Sequence, residues 1–200
     1  MISIIDYGMG NLRSVEKALQ SAGGTVSVIS TPSEIVKADK LVLPGVGAMK
    51  PAMDRLSELG LIGPIKDFVA KGKPFLGICL GLQLLFDSSS EGGNVQGLGI
   101  VAGTVERFSD SVKVPQMGWN KIRAVQEKCP LFKNVPDGAF VYFCHSYYVK
   151  PKNKKVVSAL TDYGLEYASA ICTDNIWGVQ FHPEKSQDVG QGILRNFVAC

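Results

Sequence analysis

The chain has 200 residues, enough for one domain spanning 1–200 around a sizeable core. Hydrophobic residues make up 46%, charged residues 20%, and the net charge is +3, a balance that fits a globular protein in water and argues against a nucleic-acid partner. No apolar run approaches a membrane span, and the cysteines at 79, 129, 144, 172 and 200 lack C-x-x-C spacing, which argues against a disulfide framework or a zinc site.

The first half alternates strand and helix. Ile2–Asp6 reads as a short strand rather than a signal peptide. Leu12, Val15, Leu19 and Ala22 then recur at helical spacing up to Gly23-Gly24, with Asn11 as the expected cap. Thr25–Ser30 and Lys40–Leu43 are strands, Ala52–Leu59 is a helix, and Pro64 opens another that Gly72 stops. Pro74–Ile78 is a strand and Leu80–Phe86 a helix. This order predicts an α/β fold: a mostly parallel open sheet with helices on both faces. In the second half Ile100–Phe108, Lys121–Val125, Ala139–Val149, Val156–Leu160, Glu166–Thr173 and Ile176–Phe181 read as strands. They extend the sheet with an antiparallel portion, and Gln187–Ala199 closes the chain as a helix. The basic run Lys150–Lys155 reads as a solvated hairpin turn.

Chemistry concentrates in Phe75-Leu-Gly-Ile-Cys-Leu-Gly-Leu-Gln83. A strand leading into Gly77-Ile-Cys-Leu-Gly81 and then a helix is the nucleophile elbow, here with a thiol. Glycines on both sides ease the sharp turn, and a helix N-terminus favours an anion at the sulfur. A thiolate needs a base, and the chain offers two histidines, His145 and His182. His182 has Glu184 two residues on, across Pro183, so the carboxylate can curl back onto the imidazole; His145 has no acid nearby. Cys79, His182 and Glu184 are therefore the candidate triad. Pro44-Gly-Val-Gly-Ala48 follows a strand, and the N–H groups near Val46 and Gly47, with that of Leu80, are candidate oxyanion donors. Gln83 lies one helical turn beyond Cys79 and borders the same pocket. Asp6-Tyr-Gly-Met-Gly-Asn-Leu12 superficially suggests nucleotide binding, but Arg13 stands where a third glycine belongs and no Walker lysine follows.

Gly-Ile-Cys-Leu-Gly-Leu-Gln with a later Phe-His-Pro-Glu resembles the class I, triad-type glutamine amidotransferases. Ile4-Ile-Asp-Tyr-Gly-Met-Gly-Asn-Leu12, Leu43-Pro-Gly-Val-Gly-Ala48, Val114-Pro-Gln-Met-Gly-Trp-Asn120 and His182-Pro-Glu-Lys-Ser186 narrow the resemblance to the glutaminase-subunit family of imidazole glycerol phosphate synthases. It runs from the first strand to the last helix. It implies a flavodoxin-like glutaminase fold and hydrolysis of glutamine through a Cys79 thioester. It places Gly47, Gln83, His145, Ser146 and Tyr147 around the glutamine. It also implies a separate cyclase subunit that receives ammonia through a channel as half of a heterodimer. That partner makes imidazole glycerol phosphate and aminoimidazole carboxamide ribotide in histidine biosynthesis. Asn11, Trp119 and Lys185, read as loop residues, lie near the docking face in the family. No cofactor, metal, membrane or nucleic acid is implied, and the cytoplasm is the expected compartment. Two alternatives stay open: a relative that feeds ammonia to another synthase, such as a surface-sugar amidating enzyme, and a cysteine peptidase or related hydrolase, against which Gln83 and Gly178–Glu184 argue.

Overall fold

The computed structural model describes residues 1–125 and 129–200. In chain order its elements are β1 (Ile2–Ile5), α1 (Leu12–Ser21), β2 (Val26–Ile29), α2 (Pro32–Lys37), β3 (Lys40–Gly45), α3 (Met49–Glu58), α4 (Ile62–Ala70), β4 (Phe75–Cys79) and α5 (Leu80–Gln83). There follow β5 (Phe86–Ser89), β6 (Val95–Gln96), β7 (Val101–Arg107), β8 (Gln116–Lys121), β9 (Arg123–Ala124), β10 (Phe140–His145) and β11 (Tyr147–Pro151). The chain ends with β12 (Val157–Asp162), β13 (Glu166–Thr173), β14 (Ile176–Val179) and α6 (Gln187–Ala199).

The main sheet runs β2-β1-β3-β4-β14-β13-β11-β7-β5-β6, and β8 and β10 form a separate ribbon. From β2 to β14 every pairing is parallel; from β14 onward antiparallel pairing dominates. The expected fold class is thus the observed one. Alternation along the parallel strands divides the core. Ile2, Ile4, Val42, Leu76 and Ile78 face α1 and α6, meeting Val15, Leu19, Ile193 and Phe197. Ile5, Leu41, Leu43 and Phe75 face the opposite layer, with Ile35, Leu56 and Ile65 from α2, α3 and α4. Burial on both faces explains why these strands read as continuous apolar runs. The carboxyl ends of β1, β3, β4 and β14 share one edge, where an open α/β sheet binds its ligands.

Several elements depart from expectation. α2 was not anticipated, although Thr31-Pro-Ser-Glu34 signals it: Pro32 starts the helix and the Glu34 carboxylate accepts from the Ser30 and Thr31 N–H groups at 3.1 and 3.0 Å. The helix after Cys79 stops at Gln83, and Phe86 instead enters β5 beside Val101. Leu82, Leu84, Leu85 and Phe86 are all buried, so an apolar run with no exposed side gave no period to read. The strand expected at 121–125 is met in part by two short pieces: β8 ends at Lys121, where it pairs with Phe140, and β9, Arg123–Ala124, pairs with β12. The long strand expected at 139–149 is two, β10 in the ribbon and β11 in the main sheet, divided at Ser146. Lys150–Lys155 is no hairpin turn, since β11 and β12 both pair with β13 and not with each other; its tip, 152–155, is solvated as expected. Among the described residues no helix is long and apolar enough to cross a membrane.

Candidate active site

β4 lies fully buried between β3 and β14 and ends on Cys79. There the chain turns directly into α5, and Cys79 itself takes φ 55°, ψ −110°. The left-handed strain therefore falls on the nucleophile, not on the flanking glycines, and such a conformation costs about 1–3 kcal/mol. The glycines serve a different need, which is room. A Cβ on Gly81 would run into the Leu43 carbonyl oxygen, and one on Gly77 would sit 2.6 Å from the Gly81 oxygen. Only with both bare can α5 press against β3 and β4 and hold the sulfur above the sheet edge.

His182 follows β14, beside Cys79. Pro183 opens a 3₁₀ turn, Pro183–Lys185, that swings Glu184 back, and His182 Nδ1 donates to Glu184 Oε1 at 2.8 Å. The backbone is locked on both sides: the His182 N–H donates to the Tyr142 carbonyl at 2.9 Å, and Ser186 Oγ donates to the His182 carbonyl at 2.6 Å. With Nδ1 committed to the carboxylate, Nε2 is the nitrogen left for the thiol. Burial opposes the imidazolium, but the Cys79 sulfur and the Glu184 carboxylate outweigh it and carry the His182 pKa up to about 10. At neutral pH the site thus favours the imidazolium form of His182.

His145 is different, and the geometry separates the two histidines more firmly than the sequence does. Its Nδ1 donates to the Tyr147 carbonyl at 2.7 Å, and its Nε2 lies 3.2 Å from the Tyr167 hydroxyl. Burial drives its pKa down to about 4, so it stays neutral. It is a wall residue whose ring nitrogens are both engaged.

These groups open onto a cavity of about 290 Å³. Val46 and Gly47 line one side, with Gly47 at φ +91°, a conformation that favours glycine. Cys79, Leu80 and Gln83 form the floor, and His145, Ser146 and Tyr147 the opposite wall. Every residue proposed from sequence for the triad, the oxyanion donors and the glutamine pocket therefore borders one cavity, except Glu184, which stands behind His182. Two contributors were missed. Glu91 lines the cavity and is held there by accepting from the Met49 N–H at 2.7 Å. In Ser88-Ser-Ser-Glu-Gly-Gly93 it reads as an ordinary solvated loop acid. Gln180, buried, brings its amide nitrogen 3.7 Å from Cys79 Sγ. The strand alternation that puts residues 180 and 182 on one face was a usable signal. Among the described residues no cluster of His, Cys, Asp or Glu is suited to a metal ion.

The three residues expected near a docking face are placed as follows. Asn11 starts α1, but its side chain makes no capping bond, contrary to expectation. Trp119 lies in β8, not in a loop. Its ring is 6.2 Å from Tyr142, which lies 5.6 Å under Lys185 Nζ and 6.5 Å from the His182 ring. Trp119 and Lys185 thus share a cluster beside the triad. Asn11 reaches the same edge through its neighbours, since Met9 and Gly10 pack against Gly47 and Pro44.

Comparison with known proteins places the chain in a family. The model of the family "Glutamine amidotransferase class-I" matches residues 3–200. The imidazole glycerol phosphate synthase subunit HisH of Syntrophotalea carbinolica is 52% identical over 204 residues, covering 98% of each chain. The HisH subunit of Moorella thermoacetica is 50% identical over 196 residues, covering 98% of this chain and 93% of its own. A glutamine amidotransferase structure from Thermotoga maritima superposes with a TM-score of 0.69 at 16% identity, covering 98% of this chain and 95% of its own, a likeness of fold alone.

Proposed function

The chain belongs to the class-I glutamine amidotransferases and, within them, to the family of the imidazole glycerol phosphate synthase subunit HisH, and from that premise we propose the chemistry and partnership of its site. It is a glutaminase subunit acting in histidine biosynthesis. The observation that carries the site assignment is the His182–Glu184 pair, closed at 2.8 Å beside a thiol on a strained elbow.

In this reading the Cys79 thiolate attacks the side-chain amide carbon of glutamine. Negative charge moves to the amide oxygen, held by the N–H of Leu80 and by the loop at Val46 and Gly47. The His182 imidazolium gives its proton to the departing nitrogen, which leaves as ammonia, and a thioester remains. His182, now neutral, takes a proton from water as that water attacks the thioester. Collapse of the second tetrahedral intermediate releases glutamate and restores the thiolate–imidazolium pair. Glu184 keeps Nδ1 protonated throughout. Gln83, Ser146 and Tyr147 border the bound glutamine, and Glu91 is the anion placed to meet its α-ammonium group.

The ammonia passes through a channel to a separate cyclase subunit docked as a heterodimer on the edge that carries Asn11, Trp119 and Lys185. That partner makes imidazole glycerol phosphate and aminoimidazole carboxamide ribotide. The whole chain, 1–200, acts as one domain in the cytoplasm; its five free cysteines fit a reducing compartment. The test is Cys79→Ala. This variant should release no glutamate, while the assembled synthase should still make product from added ammonium salt. Glutamate release surviving in Cys79→Ala would remove the assignment; loss of the ammonium reaction would point instead to a damaged interface.

A further inference from the structure

We propose that Gln180 is a further catalytic residue, whose side-chain amide nitrogen donates to the Cys79 sulfur, and that Gln83 is the positioning residue that fixes it in that orientation. The proposal rests on the reading of Cys79 as nucleophile. Gln180 leaves the end of β14 fully buried, with its backbone N–H bonded to the Ser169 carbonyl at 2.9 Å. Its carboxamide has one polar end toward Cys79 Sγ, at 3.7 Å, and the other toward Gln83, at 3.0 Å.

Which end is nitrogen follows from a chain of requirements. The Tyr147 carbonyl oxygen can only accept. Gln83 approaches it at 3.0 Å and must therefore present its amide nitrogen. That nitrogen's second hydrogen points at Gln180, so Gln180 must turn its oxygen to Gln83. The nitrogen of Gln180 is then the atom left against the sulfur. Reversing Gln83 would set oxygen against oxygen at Tyr147, and reversing Gln180 would set nitrogen against nitrogen, both at buried side chains where an unmatched polar pair is expensive. A backbone carbonyl two elements away thus decides what the nucleophile sees.

A thiol is a weak acceptor and a thiolate a strong one, so this N–H favours the charged sulfur. With His182 on another side, the sulfur is held between two donors. No bond to Gln180 forms or breaks. In the thioester the sulfur is neutral and the contact weakens; when the last intermediate collapses, the returning thiolate meets a donor already in place.

The experiment is the rate of Cys79 alkylation by iodoacetamide against pH, read on the Cys79 peptide by mass spectrometry in the full chain. Gln180→Met, apolar and of similar length, should move the midpoint up by about one to two pH units. Gln83→Glu should move it in the same direction with Gln180 intact. A carboxylate cannot donate to Tyr147, so Gln180 reverses and sets its oxygen against the sulfur. In glutaminase assays Gln180→Met should lower kcat about tenfold with little change in KM. Midpoints of both variants superimposed on the parent, with urea unfolding unchanged, would overturn the proposal. If Gln180→Met does not fold, a parental profile in Gln83→Glu overturns it alone. An active Cys79→Ala would instead sink the nucleophile reading, which makes the two failures distinguishable.

Discussion

At the scale of single residues, His182 and His145 show how surroundings divide one side-chain type into two roles. His182→Asn should cost more glutaminase activity than Glu184→Gln, by about two orders of magnitude, because the first removes the proton carrier and the second only loosens its tautomer. His145→Asn should cost less than either, and steady-state assays of the three variants give the order. The pH signs also differ. The His182 pKa is raised to about 10, so its contribution to stability is full below pH 6.5 and lost as pH rises through 10. The His145 pKa is lowered to about 4, so its contribution is present above pH 6.5 and lost as pH falls through 4. Urea unfolding of the parent minus His145→Asn should therefore shrink between pH 6.5 and 4, and a difference constant with pH would contradict the burial of a neutral ring. Glutaminase turnover should fall as pH passes 10, where His182 can no longer protonate departing ammonia. Much of this site was legible in advance, because Cys79, His182 and Glu184 carry their chemistry in local spacing. Glu91 and the role of Gln180 were not, since each acquires its meaning from contacts across the fold: Glu91 with Met49, Gln180 with Gln83 and, through it, Tyr147.

At the scale of elements, the site depends on bare glycines where helices meet strands and turns. Within α6 two glycines two residues apart make the point. A Cβ at Gly190 would collide with the carbonyl oxygen of Pro183, the residue that opens the Glu184 turn, while a Cβ at Gly192 meets nothing within 4 Å. Gly190→Ala should therefore destabilise the protein by about 1–3 kcal/mol and lower activity as well, by shifting Glu184 away from His182. Gly192→Ala should stabilise it by about 0.5–1 kcal/mol, the gain from replacing glycine inside a helix. Urea unfolding of the pair decides it, and equal effects would mean that α6 does not seat on the turn as drawn. Elements with a clean period, such as α1 and α6, were readable from sequence to within a residue or two. The segment 80–86 was not, because a run buried on all sides carries no amphipathic signal. Nor was the break at Ser146, because β-rich residues continue through it, and only pairing with β8 on one side and β7 on the other divides the strand.

At the scale of the whole molecule, the site and an unusual surface lie together. Met117, Trp119 and Phe140 are 64%, 46% and 51% exposed, and their register puts them on one face of the β8–β10 ribbon, alongside Tyr142 and Lys121. Exposed apolar side chains gathered on one face mark an interaction surface, and the opposite strand residues Val141 and Phe143 belong to the core beneath it. A glutaminase that ran freely would lose its ammonia to solvent, so its activity should depend on the synthase partner, for which this face is the proposed docking site. The place where such a switch would act is the loop after β3. Gly47 sits at φ +91° against the Met9 side chain, and Val46 is 43% exposed, so a small change in the 6–11 segment bears directly on the loop proposed to offer oxyanion donors. One such donor is worth about 10²–10³ in rate. Glutamate release should therefore rise by about that factor from the chain alone to the complex whose synthase holds its nucleotide, with the empty complex between them. Equal rates in all three would exclude the switch. Gly47→Leu, which cannot hold this backbone conformation without strain, should remove the stimulation; stimulation that persists unchanged in that variant would place the control elsewhere than in the loop at Val46 and Gly47.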